Sequence, residues 1–300
     1  MELNLSLIKG LQAWEYKLPA GFTVRGYHSR PSGKPVLHFI HGTGFNGLTY
    51  ECLLAELQDD YDFFISDGQG HGESDAGEFY PGWNQSAENF SLVWQHFSSY
   101  WANVPKIAAG HSYGAIMSTL MMAKNPTLFD CGILLDPVYS SPRIAKAMSV
   151  LTNFGLMRQT ALAKQAKIRS TTWASEADAW AYFYQRGTFK NWQDACLQSY
   201  ITHGLSKYDD GTMHLKCPPF IESALFSAYA HNLWGAIRSI RKPMTVIYGD
   251  KTYSFLLKSL PKVHEANQFY DFIKVPGGHC FMQQNSSATA QVVMDILKKE

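Results

Sequence analysis

The chain has 300 residues, 46% of them hydrophobic and 17% charged, which suits one large α/β domain with an insertion, or two small domains, and not a disordered chain. A formal net charge of +1 gives no overall bias toward nucleic acid or a membrane surface. The five cysteines (52, 131, 196, 217 and 280) are odd in number and form no C-x-x-C, which argues against a disulfide framework and against a zinc site.

In chain order, strands expected at 11–17 and 22–28, separated by Pro19-Ala20-Gly21, read as an antiparallel entry hairpin. The first residues lack a basic n-region and a long apolar core, so no signal peptide is expected. No run approaches the length of a membrane span, so no stable membrane insertion is expected either. A cytoplasmic setting fits these features. From residue 35 strand and helix alternate. Apolar runs at 36–40, 62–66, 106–110, 131–135, 244–248 and 269–275 read as strands, with helical stretches near 49–58, 86–101, 113–124, 254–260 and 286–299. Continuous rather than alternating apolar character means strands buried on both faces, hence a mainly parallel central sheet with helices on both sides. Between Asp136 and Pro243 the rhythm stops and a helical, aromatic-rich segment follows. It reads as a helical cap, 137–242, inserted into a core made of 1–136 and 243–300. Most of its aromatic residues are expected to form its own interior, with a minority lining a substrate cavity.

The chemistry concentrates at the ends of the strands. Gly110-His111-Ser112-Tyr113-Gly114 is G-x-S-x-G between a strand and a helix, where small flanking residues let the two elements pass closely and lift the serine out of a tight turn. The helix N-terminus directs unpaired N–H groups at whatever reacts with that hydroxyl. The strand at 36–40 runs into His41-Gly42-Thr43-Gly44-Phe45, and the strand at 62–66 ends in Asp67-Gly68-Gln69-Gly70-His71-Gly72-Glu73-Ser74. The last strand is followed by Pro276-Gly277-Gly278-His279. These four motifs, in this order, resemble the α/β-hydrolase superfamily over roughly residues 20–136 and 243–300.

Ser112 is the candidate nucleophile and needs a base within hydrogen-bond reach. His279, on a glycine-rich loop after the final strand, is the candidate. In the superfamily the acid commonly follows the seventh strand, three residues after a glycine; here that residue is Thr252, which cannot ionise. The resemblance therefore points to the other location used, the end of the sixth strand, where Asp136 stands, with Asp250 as the alternative acid. The oxyanion hole needs two N–H donors, expected from the backbones of Thr43 and Tyr113.

Asp67, His71, Glu73 and Ser74 look reactive but read as scaffolding, and His41 as a brace of its turn. No H-E-x-x-H occurs, and no G-x-G-x-x-G follows a first strand, so neither a metal nor a dinucleotide cofactor is expected. From 137 to 175 there are six Lys and Arg residues (Arg143, Lys146, Arg158, Lys164, Lys167 and Arg169) and no Asp or Glu. This run reads as a solvated helix face, with an anionic substrate tail or acidic lipid headgroups as the functional readings.

The expectation is a serine hydrolase cleaving a small-molecule carboxylic ester or thioester through an acyl-enzyme. A serine at the elbow argues against the dehalogenase and epoxide hydrolase branches, which resemble this core but use aspartate there. Carbon–carbon or amide hydrolysis and acyl transfer use the same triad and stay open, as does a non-catalytic binding protein on this fold. Substrate identity and oligomeric state are not encoded in these motifs.

Overall fold

The structure, a computed structural model, describes residues 6–299. Residues 1–5, which begin the stretch where no signal peptide is expected, lie outside the described residues, as does Glu300. Strands β1 (Gln12–Lys17) and β2 (Thr23–His28) form the entry hairpin. Then β3 (Val36–Ile40), a short helix α1 (Glu51–Ala55), β4 (Asp62–Ser66), α2 (Trp83–Phe97), β5 (Lys106–His111), α3 (Tyr113–Lys124) and β6 (Cys131–Leu135) alternate. After a long excursion the chain returns through β10 (Met244–Gly249), α10 (Ser254–Leu257), α11 (Leu260–Ala266), β11 (Tyr270–Val275), α12 (Phe281–Gln284) and α13 (Ser286–Leu297).

Eight strands form one sheet in the order β1-β2-β4-β3-β5-β6-β10-β11. The β1–β2 and β2–β4 pairs are antiparallel and every other pair is parallel. Alternation along the strands feeds two separate cores. In β3, Val36 and Ile40 enter the apolar cluster beneath α2 and α3, while Leu37 and Phe39 enter the opposite cluster with α1 and α13. Both faces of the inner strands are thus covered, and their sequences read as unbroken apolar runs for that reason. Because the inner strands run parallel, β3, β5, β6 and β10 all end at one edge of the sheet, and the loops gathered there carry the site.

The excursion comprises α4 (Pro142–Asn153), α5 (Ala161–Lys167), α6 (Glu176–Phe183), α7 (Asp194–Gly204), α8 (Pro219–Phe226) and α9 (Leu233–Ser239). It also contains a three-stranded sheet of β7 (Thr172–Trp173), β8 (Leu205–Lys207) and β9 (Met213–Leu215), in the order β7-β9-β8. Sequence periodicity predicts only helix here, because strands of two or three residues are too short to display an alternating pattern. A second departure is the predicted helix at 254–260. It divides into α10 and α11, with a proline in the first turn of α11, where the missing N–H costs nothing. α9 packs against α3, burying Leu233, Trp234 and Ile237 in the same cluster as Met117 and Met121. α7 lies on α1, where His203 Nε2 approaches Glu51 Oε1 at 3.2 Å.

Candidate active site

Ser112 stands between β5 and α3 with φ 56° and ψ −114°, a conformation that non-glycine residues rarely hold. The glycines around it answer to close packing. A Cβ on Gly114 would lie 2.0 Å from the Ile40 carbonyl oxygen, and one on Gly110 would lie 2.5 Å from the backbone of Gly114. The strand-to-helix turn can be this tight only if both positions lack a side chain.

Ser112 Oγ–H donates to His279 Nε2 at 2.9 Å, and His279 Nδ1–H donates to Asp136 Oδ2 at 2.6 Å. A carboxylate can only accept, so Asp136 fixes the tautomer that leaves Nε2 facing the serine. Asp136 is fully buried at the end of β6 with φ 45°, another left-handed backbone position, which aspartate tolerates better than most residues. Its Oδ1 accepts from the Gly249 N–H at 3.0 Å and its Oδ2 from the Thr252 hydroxyl. Thr252, which occupies the more usual acid position, therefore serves as a hydrogen-bond donor that orients Asp136. Asp250 instead accepts from the Gly277 N–H at 2.8 Å and braces the histidine loop without touching the imidazole.

The loop after β3 supplies the other half of the site. The N–H groups of Gly42 and Gly44, on either side of Thr43, are committed to Tyr50 Oη (3.1 Å) and His71 Nε2 (3.1 Å). Thr43 lies between them and, like Tyr113, lines the cavity; the Tyr113 N–H at the start of α3 stands outside the helical hydrogen-bond ladder.

His111 is a site residue that sequence reasoning missed. The Tyr50 hydroxyl donates to His111 Nδ1 at 2.7 Å, and His111 Nε2–H donates to the His279 carbonyl at 3.0 Å. One buried imidazole thus links the turn at Gly42 to the histidine loop. Burial first, and the neighbouring His279 second, push its pKa well below the ordinary value, in keeping with a neutral ring that both donates and accepts. Tyr50, His111 and His279 are far apart in sequence, so no local motif could reveal the link.

The glycine-rich turn after β4 acts as support. His71 donates from Nδ1 to the Gln69 carbonyl (2.9 Å) while holding Gly44 with Nε2. His41 donates to the Gly42 carbonyl (2.8 Å) and accepts from the Gly68 N–H (2.9 Å). Burial pushes His71 down to about 4 and His41 down to about 3, so both are neutral braces. Asp67 accepts from the Gly47 N–H at 2.7 Å, Ser74 Oγ donates to the Asp67 carbonyl at 2.9 Å, and Glu73 pairs with Lys216 at 2.6 Å. None of the four contacts Ser112.

Above Ser112 lies a cavity of about 570 Å³, with walls that are mainly apolar. Ile144, Met148, Met157, Leu162, Phe226 and Tyr229 are among the apolar side chains that line it. Of the other aromatic residues in the excursion, Phe189 and Tyr200 also reach the cavity, whereas Trp173, Phe183 and Trp192 are buried away from it. The lining also contains an ion pair that the motifs did not indicate. Arg169 Nη1 donates to both carboxylate oxygens of Glu222 (2.8 and 2.7 Å), and Nη2 lies 3.4 Å from Tyr200 Oη. Among the described residues no group of His, Cys, Asp and Glu is arranged to hold a metal ion.

A serine raised on a strand-to-helix turn, linked through a late histidine to a strand-end aspartate on a mainly parallel sheet, defines an α/β-hydrolase, a hydrolytic enzyme. More narrowly, the chain belongs to the family described as serine aminopeptidase, S33, whose model matches residues 31–251. It is 24% identical over 257 residues to 2-(acetamidomethylene)succinate hydrolase of Mesorhizobium japonicum, covering 84% of each protein. It is 32% identical over 146 residues to monoglyceride lipase of Mus musculus, covering 44% of this chain and 46% of that protein. Among solved structures, E-2-(acetamidomethylene)succinate hydrolase superimposes with a TM-score of 0.74 at 21% identity, covering 96% of this chain and 100% of that one. The thioesterase domain from the curacin biosynthetic pathway gives 0.73 at 18% identity, covering 95% and 99%. At these identities the structural likeness speaks for the fold alone.

Proposed function

We propose that this hydrolase cleaves a carboxylic ester or thioester of a small molecule through an acyl-enzyme on Ser112. The observation that carries the reading is the unbroken hydrogen-bonded chain from Ser112 Oγ through His279 to Asp136 at the floor of an apolar cavity. In the proposed mechanism His279 Nε2 takes the Ser112 proton as Oγ attacks the acyl carbonyl carbon. The carbonyl oxygen becomes an oxyanion held by the N–H groups of Thr43 and Tyr113, and Asp136 stabilises the imidazolium. The imidazolium then gives its proton to the leaving alcohol or thiol as the acyl–oxygen or acyl–sulfur bond breaks. Water, deprotonated by His279, attacks the acyl-enzyme and releases the acid. The likeness to monoglyceride lipase supports an ester substrate, and the apolar walls support an acyl chain as the part they enclose. The Arg169–Glu222 pair would face a polar part of the substrate.

Residues 137–242 are proposed as a cap on a core of 1–136 and 243–300. The cavity walls drawn from 138–229 support the division, while the packing of α9 on α3 argues for ending the cap before Leu233. A cytoplasmic location is proposed on the lack of disulfides among the described cysteines. Turnover of p-nitrophenyl and coenzyme A esters of increasing chain length tests the substrate class. The expected result is an optimum above acetate, set by the cavity, with a burst of leaving group. Turnover confined to amides would overturn the ester reading.

A further inference from the structure

We propose that the face around the cavity mouth docks on the surface of a lipid bilayer rich in anionic headgroups. This goes beyond hydrolysis, because it concerns where the enzyme works, and the docking itself does not require the catalytic reading. The first observation is misplaced apolar surface. α4 has twelve residues, of which only Ala145 is buried, and Ile144, Val150 and Leu151 are exposed on it. The turn that follows exposes Phe154 (75%) and Leu156 (54%), and α5 and its end expose Leu162 (59%) and Ile168 (82%). Single exposed apolar side chains are ordinary, but seven within 144–168, on elements that pack together, make a patch that calls for a partner.

The second observation is charge. Arg143, Lys146, Arg158, Lys164 and Lys167 are all exposed among these apolar residues, and none makes an ion pair among the described residues. No Asp or Glu occurs from 137 to 175, although the whole chain is nearly neutral at +1. Cations of one sign interleaved with large apolar side chains complement an anionic interface, where the apolar groups enter the headgroup boundary and the cations meet phosphates. A protein partner fits less well, since lysine is depleted at protein interfaces.

The third observation places the entrance. Ile144, Leu162 and Phe255 both line the cavity and are exposed, so the mouth opens within this same face. An apolar substrate could pass from a bilayer into the cavity without crossing water. Among the described residues no helix is long and apolar enough to cross a membrane, so the contact would be peripheral.

Co-sedimentation with vesicles tests the proposal, comparing pure phosphatidylcholine with an equal mixture of phosphatidylcholine and phosphatidylglycerol. Binding should favour the anionic vesicles and weaken with added salt. The triple variant Arg158→Gln, Lys164→Gln, Lys167→Gln should lose about a hundredfold in partitioning, at about 1 kcal/mol per cation. The pair Phe154→Ser, Ile168→Ser should also lose binding, with thermal unfolding temperatures of both variants reported beside the parent to establish folding. Ser112→Ala should bind vesicles as the parent does, so failure of the catalytic reading and failure of docking are separable. Equal binding to both vesicle types, no binding by folded parent, or full binding by the triple variant would overturn the proposal. So would a concentration-dependent dimer dispersed by Phe154→Ser, Ile168→Ser in a protein that ignores vesicles.

Discussion

In the proposed mechanism Asp136 and Thr252 would divide between them a task that the superfamily usually gives to one acidic residue after the seventh strand. Asp136 brings the charge from the end of β6, and Thr252 brings a hydroxyl that holds the carboxylate in place. The left-handed backbone at Asp136 makes asparagine the informative substitute, because asparagine keeps that conformation and removes only the charge. Asp136→Asn should retain the fold and lower kcat on the order of 10⁴-fold, since the amide can present an N–H to Nδ1 and favour the wrong tautomer. Asp250→Asn, which touches only the Gly277 N–H, should cost far less. Steady-state kinetics of the two variants against one ester give the ranking, and the opposite order would transfer the acid role to Asp250.

At the scale of elements, the pair of half-buried Arg169 and buried Glu222 ties the stretch between α5 and β7 to α8 at the cavity wall. Glu222→Ala leaves the half-buried Arg169 guanidinium without its partner, so it should lower unfolding stability by about 1–3 kcal/mol. Replacing both, as Arg169→Met with Glu222→Leu, should cost much less than the single change; denaturant unfolding of both variants checks this. What was legible in the sequence follows the same division between local and distant. The strands of the sheet, the glycines of the elbow and the strand-end residues Ser112, Asp136 and His279 announce themselves within a few residues, because a buried parallel strand and a tight turn impose their composition locally. The contacts of Thr252 with Asp136, of Tyr50 with His111, and of Arg169 with Glu222 join positions distant in sequence, and nothing near either partner signals the other. The small sheet leaves no trace in the sequence pattern because its strands are too short to carry a period.

For the whole molecule, acid sensitivity follows from the buried histidines. Burial pushes His38 and His41 down to about 3 and His71 down to about 4, and lowers His111 strongly as well. In the unfolded chain these rings take up protons near their ordinary pH of about 6.5. The stability they contribute is therefore complete above that pH and is lost as pH falls toward the folded values. Asp67 acts in the opposite sense. Burial raises it to about 6, against the hydrogen bond from Gly47, so the folded protein takes up that one proton first. The four histidines outweigh the one carboxyl, so stability should fall as pH drops below about 6.5. Urea unfolding should give similar stability at pH 7.5 and pH 7 and a clear fall by pH 4.5, and His38→Asn should lessen that fall; a level profile would contradict it. At the centre of the proposed activity stands Ser112 as the nucleophile. Labelling with a fluorophosphonate, followed by peptide mass spectrometry, should place one adduct on Ser112, with labelling abolished in Ser112→Ala and strongly slowed in His279→Ala. An adduct on another residue, or folded protein that takes no label at all, would contradict it.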